Sequence, residues 1–444
     1  MRKILTLILI VLTTSQLFGQ ETKKYYSIKE ALLDSANVKS ISLSGDSLVA
    51  LPQEILKLKN LEEIDLESSK NLNVESVIYK LSQLNHLKKL WISDVNISSL
   101  NGISNLKKLE ELYLDNVGIT ALPDEVSRMK NLREVNLEEN PQLNMVQAFK
   151  VLSKLDRLKT LWIGKNKLSD LPDQIANLKS LEELWLDDNE FTQIPKSVKR
   201  LKIKYVSFFS NKIKYINLKK GDLTNLTNIN LCYNEFKRFP VELSCLPNLE
   251  SITMWYSSVT YIPKAIEKFK KLQFLNLESN SIKKIPFQIT KLTQLKVLEL
   301  RGNELDADGV KYIYRLKNLS KLDLYQNKID YLEPSIWDLK NLTELSVAGN
   351  PLTQIPESVS KLQKLKTIQL GYYQSFDWSG AISVLGKLPN LEHVGMFKMN
   401  LKNMPEGFER LVTVKEFWMN WNIFDEKEKE RITSLLPNAK FVFN

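Results

Sequence analysis

The chain has 444 residues, 43% of them hydrophobic, a formal net charge of +10, and only two cysteines and two histidines. That apolar share is ample for a core. The histidines, His86 and His393, lie too far apart along the chain to share a Ser-His-Asp or Cys-His arrangement, so catalysis of that kind is excluded.

Arg2 and Lys3 precede a mostly apolar run from Ile4 to Leu12, and a polar stretch follows, ending in Leu17-Phe18-Gly19-Gln20. A basic start, a short apolar core and a small residue near the end describe a secretory signal peptide over residues 1–19. The run is too short for a membrane span, and no cysteine stands nearby to carry a lipid. The mature protein is therefore expected to be exported: periplasmic, on the cell surface or secreted. Residues 20–37 form an N-terminal cap, with Ser27-Ile28-Lys29-Glu30 as a capping-box start to a short amphipathic helix running towards Ser35.

From Val38 onward one pattern recurs. It reads L-x-x-L-x-L-x-x-N-x-L-x-x-L-P, and Leu272, Leu275, Leu277, Asn280, Ile282, Ile285 and Pro286 make a clean copy. Copies begin at residues 38, 61, 87, 109, 132, 158, 181, 203, 226, 249, 272, 295, 319, 342, 365, 391 and 414. A fixed period in this range marks a solenoid. In each copy the second and third leucine-type residues point inward from a short strand, and their alternate neighbours point outward. The recurring Asn at the ninth position is buried and satisfies backbone groups where the chain leaves the strand. Proline at the fifteenth position, as at Pro52, Pro123, Pro263 and Pro286, suits an extended return path. The three longest copies carry instead Val77/Ile78/Leu81/Leu84, Ala148/Phe149/Leu152/Leu155 and Ala381/Ile382/Leu385/Leu388, a helical spacing. Asp425 to Leu436 reads as a polar-faced helix, followed by a last apolar strand, Phe441-Val442-Phe443. Residues 38–424 are thus one solenoid, and residues 425–444 are its C-terminal cap.

This pattern resembles the leucine-rich repeat family in its class of roughly 23 residues, bacterial exported members included. The resemblance implies an α/β solenoid of about 17 repeats, a curved horseshoe with a concave parallel sheet. Convex turns, 3-10 segments and a few helices would complete it. For function it implies a non-enzymatic protein-recognition scaffold, because such a fold hosts many partners.

The third, fifth, seventh and eighth positions of each copy form the concave face. In the copies from 61 to 181 they carry many acids, among them Glu138, Glu139, Asp187 and Asp188, against only Lys89 and Lys165. Aromatic residues share those positions. Trp91, Tyr113, Trp162, Trp185, Tyr205, Phe209, Tyr233, Trp255, Tyr256 and Phe274 are candidate anchors, because each ring buries a large area at little rotamer cost. Phe209, Cys232 and Trp255 occupy the same position in three consecutive copies, so they are expected to form a stripe. The acids would steer a basic protein or peptide partner.

Nucleic acid is not expected as a partner, because the basic residues recur at solvated turns while the sheet is acidic. The segment Glu304-Leu305-Asp306-Ala307-Asp308-Gly309 has Arg315 where a calcium loop needs an acid, so it reads as a turn. Cys232 and Cys245 fall on different sides of a copy, too far apart for a disulfide. No cofactor and no metal are expected. The alternative to a protein partner is a carbohydrate-binding or structural, adhesive role at the cell surface, since a shallow groove of Trp, Tyr and Asn also suits sugar rings.

Overall fold

The computed structural model describes residues 23–45, 48–69, 71–372 and 375–443, so the expected signal peptide lies outside the described residues. The chain divides into two compact units, Met1–Lys159 and Thr160–Asn444.

Among the described residues the first unit holds six parallel strands. They are β1 (Lys24–Tyr25), β2 (Ser40–Ser42), β3 (Glu63–Asp65), β4 (Lys89–Trp91), β5 (Glu111–Tyr113) and β6 (Glu134–Asn136). Each pairs with the next, and equal repeat positions face each other, as Glu63 faces Lys89 and Lys89 faces Glu111. Helix α1 (Ile28–Leu32) precedes β2, and the Ser27 hydroxyl accepts from the Glu30 amide at 3.1 Å. That is one half of the expected capping box; the Glu30 carboxylate accepts from the Tyr26 amide at 3.5 Å, not from that of Ser27.

The second unit holds thirteen strands in the same arrangement. They are β7 (Thr160–Trp162), β8 (Glu183–Trp185), β9 (Tyr205–Ser207), β10 (Asn228–Asn230), β11 (Ser251–Thr253), β12 (Phe274–Asn276) and β13 (Val297–Glu299). They continue with β14 (Lys321–Asp323), β15 (Glu344–Ser346), β16 (Thr367–Gly371), β17 (His393–Phe397), β18 (Glu416–Trp418) and β19 (Lys440–Val442). Every neighbouring pair is parallel and in repeat register.

The leucine-type positions make the core: Leu272, Leu275, Leu277, Ile282 and Ile289 are fully buried. Alternation along each strand therefore has one physical cause, a leucine ribbon on one side and solvent on the other. The ninth-position asparagines are buried too. Asn280 shows their work. Its Nδ2 donates to the carbonyls of Met254 at 2.8 Å and Leu277 at 3.0 Å. Its Oδ1 accepts from the amides of Ser257 and Val259 at 3.1 and 2.9 Å. One side chain thus ties its own copy to the preceding one.

Proline opens the 3-10 turns of the return path. Pro52, Pro123, Pro172, Pro263, Pro286 and Pro356 cap them with φ between −60° and −72°, the angle the ring imposes. In the three longest copies that turn becomes an α-helix: α2 (Val74–Leu81), α3 (Met145–Leu152) and, after a short fourth helix α4 (Ala307–Val310), α5 (Trp378–Leu385). Asn73, Asn144 and Asp377 cap the three long ones. The 304–309 segment is more than a turn, because Asp306 accepts from the Gly309 amide at 2.7 Å and starts α4. Helix α6 (Glu426–Leu435) follows the Asp425 cap and leads to β19. No helix among the described residues is long and apolar enough to cross a membrane.

Candidate functional site

In the first unit the sheet face is largely closed on itself. The Trp91 and Tyr113 rings stack with centroids 4.8 Å apart. The Tyr113 hydroxyl donates to Glu134 at 2.8 Å, and burial among carboxylates pushes its pKa far up. Lys89 bridges Glu111 at 3.1 Å and Glu63 at 3.5 Å. Glu138 is half-buried, with its amide bonded to Asn136 Oδ1 at 2.8 Å, and Glu139 is half-buried beside it. Much of the acidity counted in the sequence is therefore spent inside the face.

The second unit carries the remaining candidates in two runs of rings. Trp162 and Trp185 stack at 4.0 Å, and Trp185 leans on Tyr205 at 4.6 Å. Tyr205 is only 8% exposed, so it supports Trp185 and offers no open ring. Burial raises its hydroxyl pKa.

Phe209, Tyr233, Trp255 and Tyr256 form the other run. Phe209 touches Tyr233 at 5.2 Å and Trp255 at 5.7 Å, Tyr233 stacks on Tyr256 at 5.1 Å, and Tyr233 meets Trp255 at 4.8 Å. The expected stripe exists with one change. Cys232 is fully buried, so at the surface Phe209 meets Trp255 directly. Cys232 and Cys245 are both free thiols. Phe274 is half-exposed on the neighbouring β12.

The two candidate aspartates divide. Asp187 accepts from the Ser207 hydroxyl and, at 3.0 Å, from the Phe209 amide. It thereby holds the turn that presents the Phe209 ring. Asp188 is exposed. Glu278, absent from the candidates, lies near the ring cluster, since the Tyr256 amide bonds to its carbonyl at 3.1 Å. Burial pushes its carboxyl above the ordinary range, and burial does the same at Glu183.

One regularity escapes a search for aromatic positions. The eighth residue of each copy sits at positive φ: Ser68, Asp94, Asn116, Glu139, Lys165, Asp188, Ser210, Tyr233, Tyr256, Ser279, Gln326, Tyr372, Lys398 and Trp421, with Gly45, Gly302 and Gly349 at the others. The chain turns off the strand there. A left-handed backbone costs a non-glycine residue about 1–2 kcal/mol, and glycine or asparagine suffers least. Tyr233, Tyr256 and Trp421 occupy it nonetheless, and they are 43%, 53% and 58% exposed. Strand preference accounts for rings at Trp162, Trp185 and Phe274. It does not account for rings at a strained position off the strand. A signal for this row was present in sequence, as its frequent Gly, Asn, Asp and Ser mark a turn.

A leucine-rich repeat region family matches residues 9–167, a leucine rich repeat family matches 293–352, and a family of two leucine rich repeats matches 156–198. The chain belongs to the leucine-rich repeat family. A leucine-rich repeat protein of Leptospira interrogans is similar to it with TM-score 0.66 and 28% identity, over 95% of this chain and 100% of that one. An internalin of Listeria monocytogenes follows with TM-score 0.51 and 25% identity, over 76% and 92%. Among curated proteins, the human volume-regulated anion channel subunit LRRC8A is 31% identical over 108 residues, 24% of this chain and 13% of that protein. The rat subunit LRRC8D is 31% identical over 101 residues, 22% and 11%. This leucine-rich repeat protein therefore spans about an eighth of those curated relatives. Leucine-rich repeat scaffolds are typically binding modules without an enzyme's chemistry. Among the described residues no group of three or more His, Cys, Asp or Glu is arranged to hold a metal ion.

Proposed function

We propose that this leucine-rich repeat protein is a non-enzymatic scaffold, acting after export, that binds a basic protein or peptide segment on the sheet face of its Thr160–Asn444 unit. The anchors are Tyr233 and Tyr256, backed by Phe209 and Trp255. Two exposed rings held at a backbone angle that penalises them carry this reading. A ring that contributed only to folding would be replaced there by glycine or asparagine at no loss.

Charge supports a basic partner. Asp188 is an exposed carboxylate on the same face, while the Glu278 carboxylate is shared with Arg301 at 3.4 Å. A guanidinium or ammonium group laid on the stacked Tyr233 and Tyr256 rings would gain about 0.5–2 kcal/mol from the ring faces, with those carboxylates orienting it. The rings at Trp162 and Trp185 extend the surface across the neighbouring strands.

An array of extended peptides tests this, followed by calorimetry on the tightest sequence. Binding should favour peptides bearing Arg or Lys, and a folded Tyr233→Asn/Tyr256→Asn variant should lose about tenfold or more in affinity. Equal binding by native chain and variant overturns the site.

A further inference from the structure

The strained eighth row holds bulky residues a second time, far from the cluster around Tyr256. Tyr372, Lys398 and Trp421 stand at that position in three consecutive copies, with φ of 62°, 44° and 62°. Trp421 is 58% exposed. The Tyr372 and Trp421 rings approach to 6.4 Å, and Lys398 Nζ lies 5.6 Å from the Tyr372 ring. Trp418 extends the platform, stacked with His393 at 5.7 Å and an 18° interplanar angle.

The charge here is opposite to that of the peptide site. Lys398 makes no ion pair among the described residues, and Glu416 on the next strand is taken up by Lys440 at 2.8 Å. Glu392 is held by Lys415 at 3.1 Å. His393 and Asn420 lie on the same face, both half-exposed, and Asn420 Nδ2 donates to the Phe443 carbonyl at 3.2 Å. Backbone groups of β16, β17 and β18 are engaged in the sheet, so a ligand must hydrogen-bond to side chains. An amide and an imidazole both donate and accept, as a hydroxyl does. The exposed ring of Trp421, donor–acceptor side chains beside it and one ammonium without an ion pair among the described residues match a pyranose ring that bears a carboxylate.

We propose that Tyr372, Lys398 and Trp421 form a binding site for an acidic oligosaccharide. Its sugar rings lie on Trp421 and Tyr372, and its carboxylate pairs with Lys398. The site is independent of the peptide site, because it shares no residue with it.

The test uses the full chain against a panel of uronic-acid and sialic-acid oligosaccharides, with calorimetry on the tightest. The methyl ester of that sugar removes the charge, and hexaglutamate keeps charge without the sugar. The acidic sugar should bind, and both comparison ligands should bind at least about tenfold more weakly. Lys398→Gln and Trp421→Asn should each weaken the sugar about tenfold or more, while their thermal unfolding stays close to native. Tyr233→Asn/Tyr256→Asn should leave sugar affinity within about twofold. No binding by any acidic sugar overturns the proposal, as does unchanged binding by Trp421→Asn. Equal binding by the ester overturns the role of Lys398, and equal binding by hexaglutamate makes the platform an acidic-peptide site instead.

Discussion

Phe209 and Trp255 lie two copies apart, yet their ring centroids are only 5.7 Å from each other. Two strand spacings amount to about 9.6 Å. The rings close that distance because the copy between them places Cys232 at the same position, where it is fully buried. Tyr325 and Tyr372 meet likewise at 5.7 Å, with the fully buried Ala348 in the copy between them. A small residue thus lets rings from alternate copies touch.

Enlarging Cys232 should therefore separate the rings. Cys232→Met is expected to cost about 1–3 kcal/mol through overpacking and to weaken the basic peptide, whereas Cys232→Ala should preserve both. Denaturant unfolding and calorimetry read the two effects. Unchanged peptide affinity in Cys232→Met would detach the ring contact from binding.

Tyr256→Gly relieves a positive φ of 50° and removes an exposed ring. Relief of about 1–2 kcal/mol offsets the lost ring contacts of about 0.5–1.5 kcal/mol, so stability should stay within about 1 kcal/mol of native. Peptide binding should fall. Trp185→Ala, by contrast, removes a half-buried ring stacked between Trp162 and Tyr205 and should cost about 1–3 kcal/mol. Thermal melts of the two variants decide between them.

Asn280→Ala strands two carbonyls and two amides in the interior. The expected cost is about 2–3 kcal/mol. Hydrogen exchange at the Ser257 and Val259 amides, which Asn280 accepts from, should accelerate.

Peptide affinity should depend on pH. Burial holds the Glu278 and Glu183 carboxyls above the ordinary range in the free protein. A bound cation favours their ionised form, so binding releases protons and affinity should rise with pH across and just above the usual carboxylate range. Calorimetry in buffers of different ionisation enthalpy measures the release. Proton uptake in place of release would contradict the assignment.

At the C-terminal cap the sign for stability runs the other way. Glu428 is 6% exposed; it bonds to Arg431 at 2.6 Å and accepts from the Met404 amide at 2.6 Å. The Arg431 hydrogen bond holds its carboxyl below the ordinary value. Its contribution is present above the unfolded carboxylate range and lost as pH falls through the depressed folded value. Glu428→Gln should cost about 1.5–3 kcal/mol at neutral pH and remove that part of the acid sensitivity.

The helix cap at Ser27, the helices following Asn73 and Asn144, and the burial of Asn280 were all legible in the residues. Each follows from a periodicity or a local hydrogen bond that holds wherever the copy sits. The candidate site was legible in part. Alternation along a strand places Tyr205, Phe209 and Trp255 on one face, but it does not say which ring lies over which.

The residues by themselves determined the repeat, its strands, the leucine ribbon and the face that carries the rings, because side-chain direction along a strand is a local property. Only the tertiary structure decided that Tyr205 is covered while Tyr233 is open, and that Asp187 braces a turn while Asp188 faces solvent. Those outcomes depend on the volume and hydrogen bonds of the adjacent copies, which lie one repeat period away in sequence, beyond the reach of a local rule.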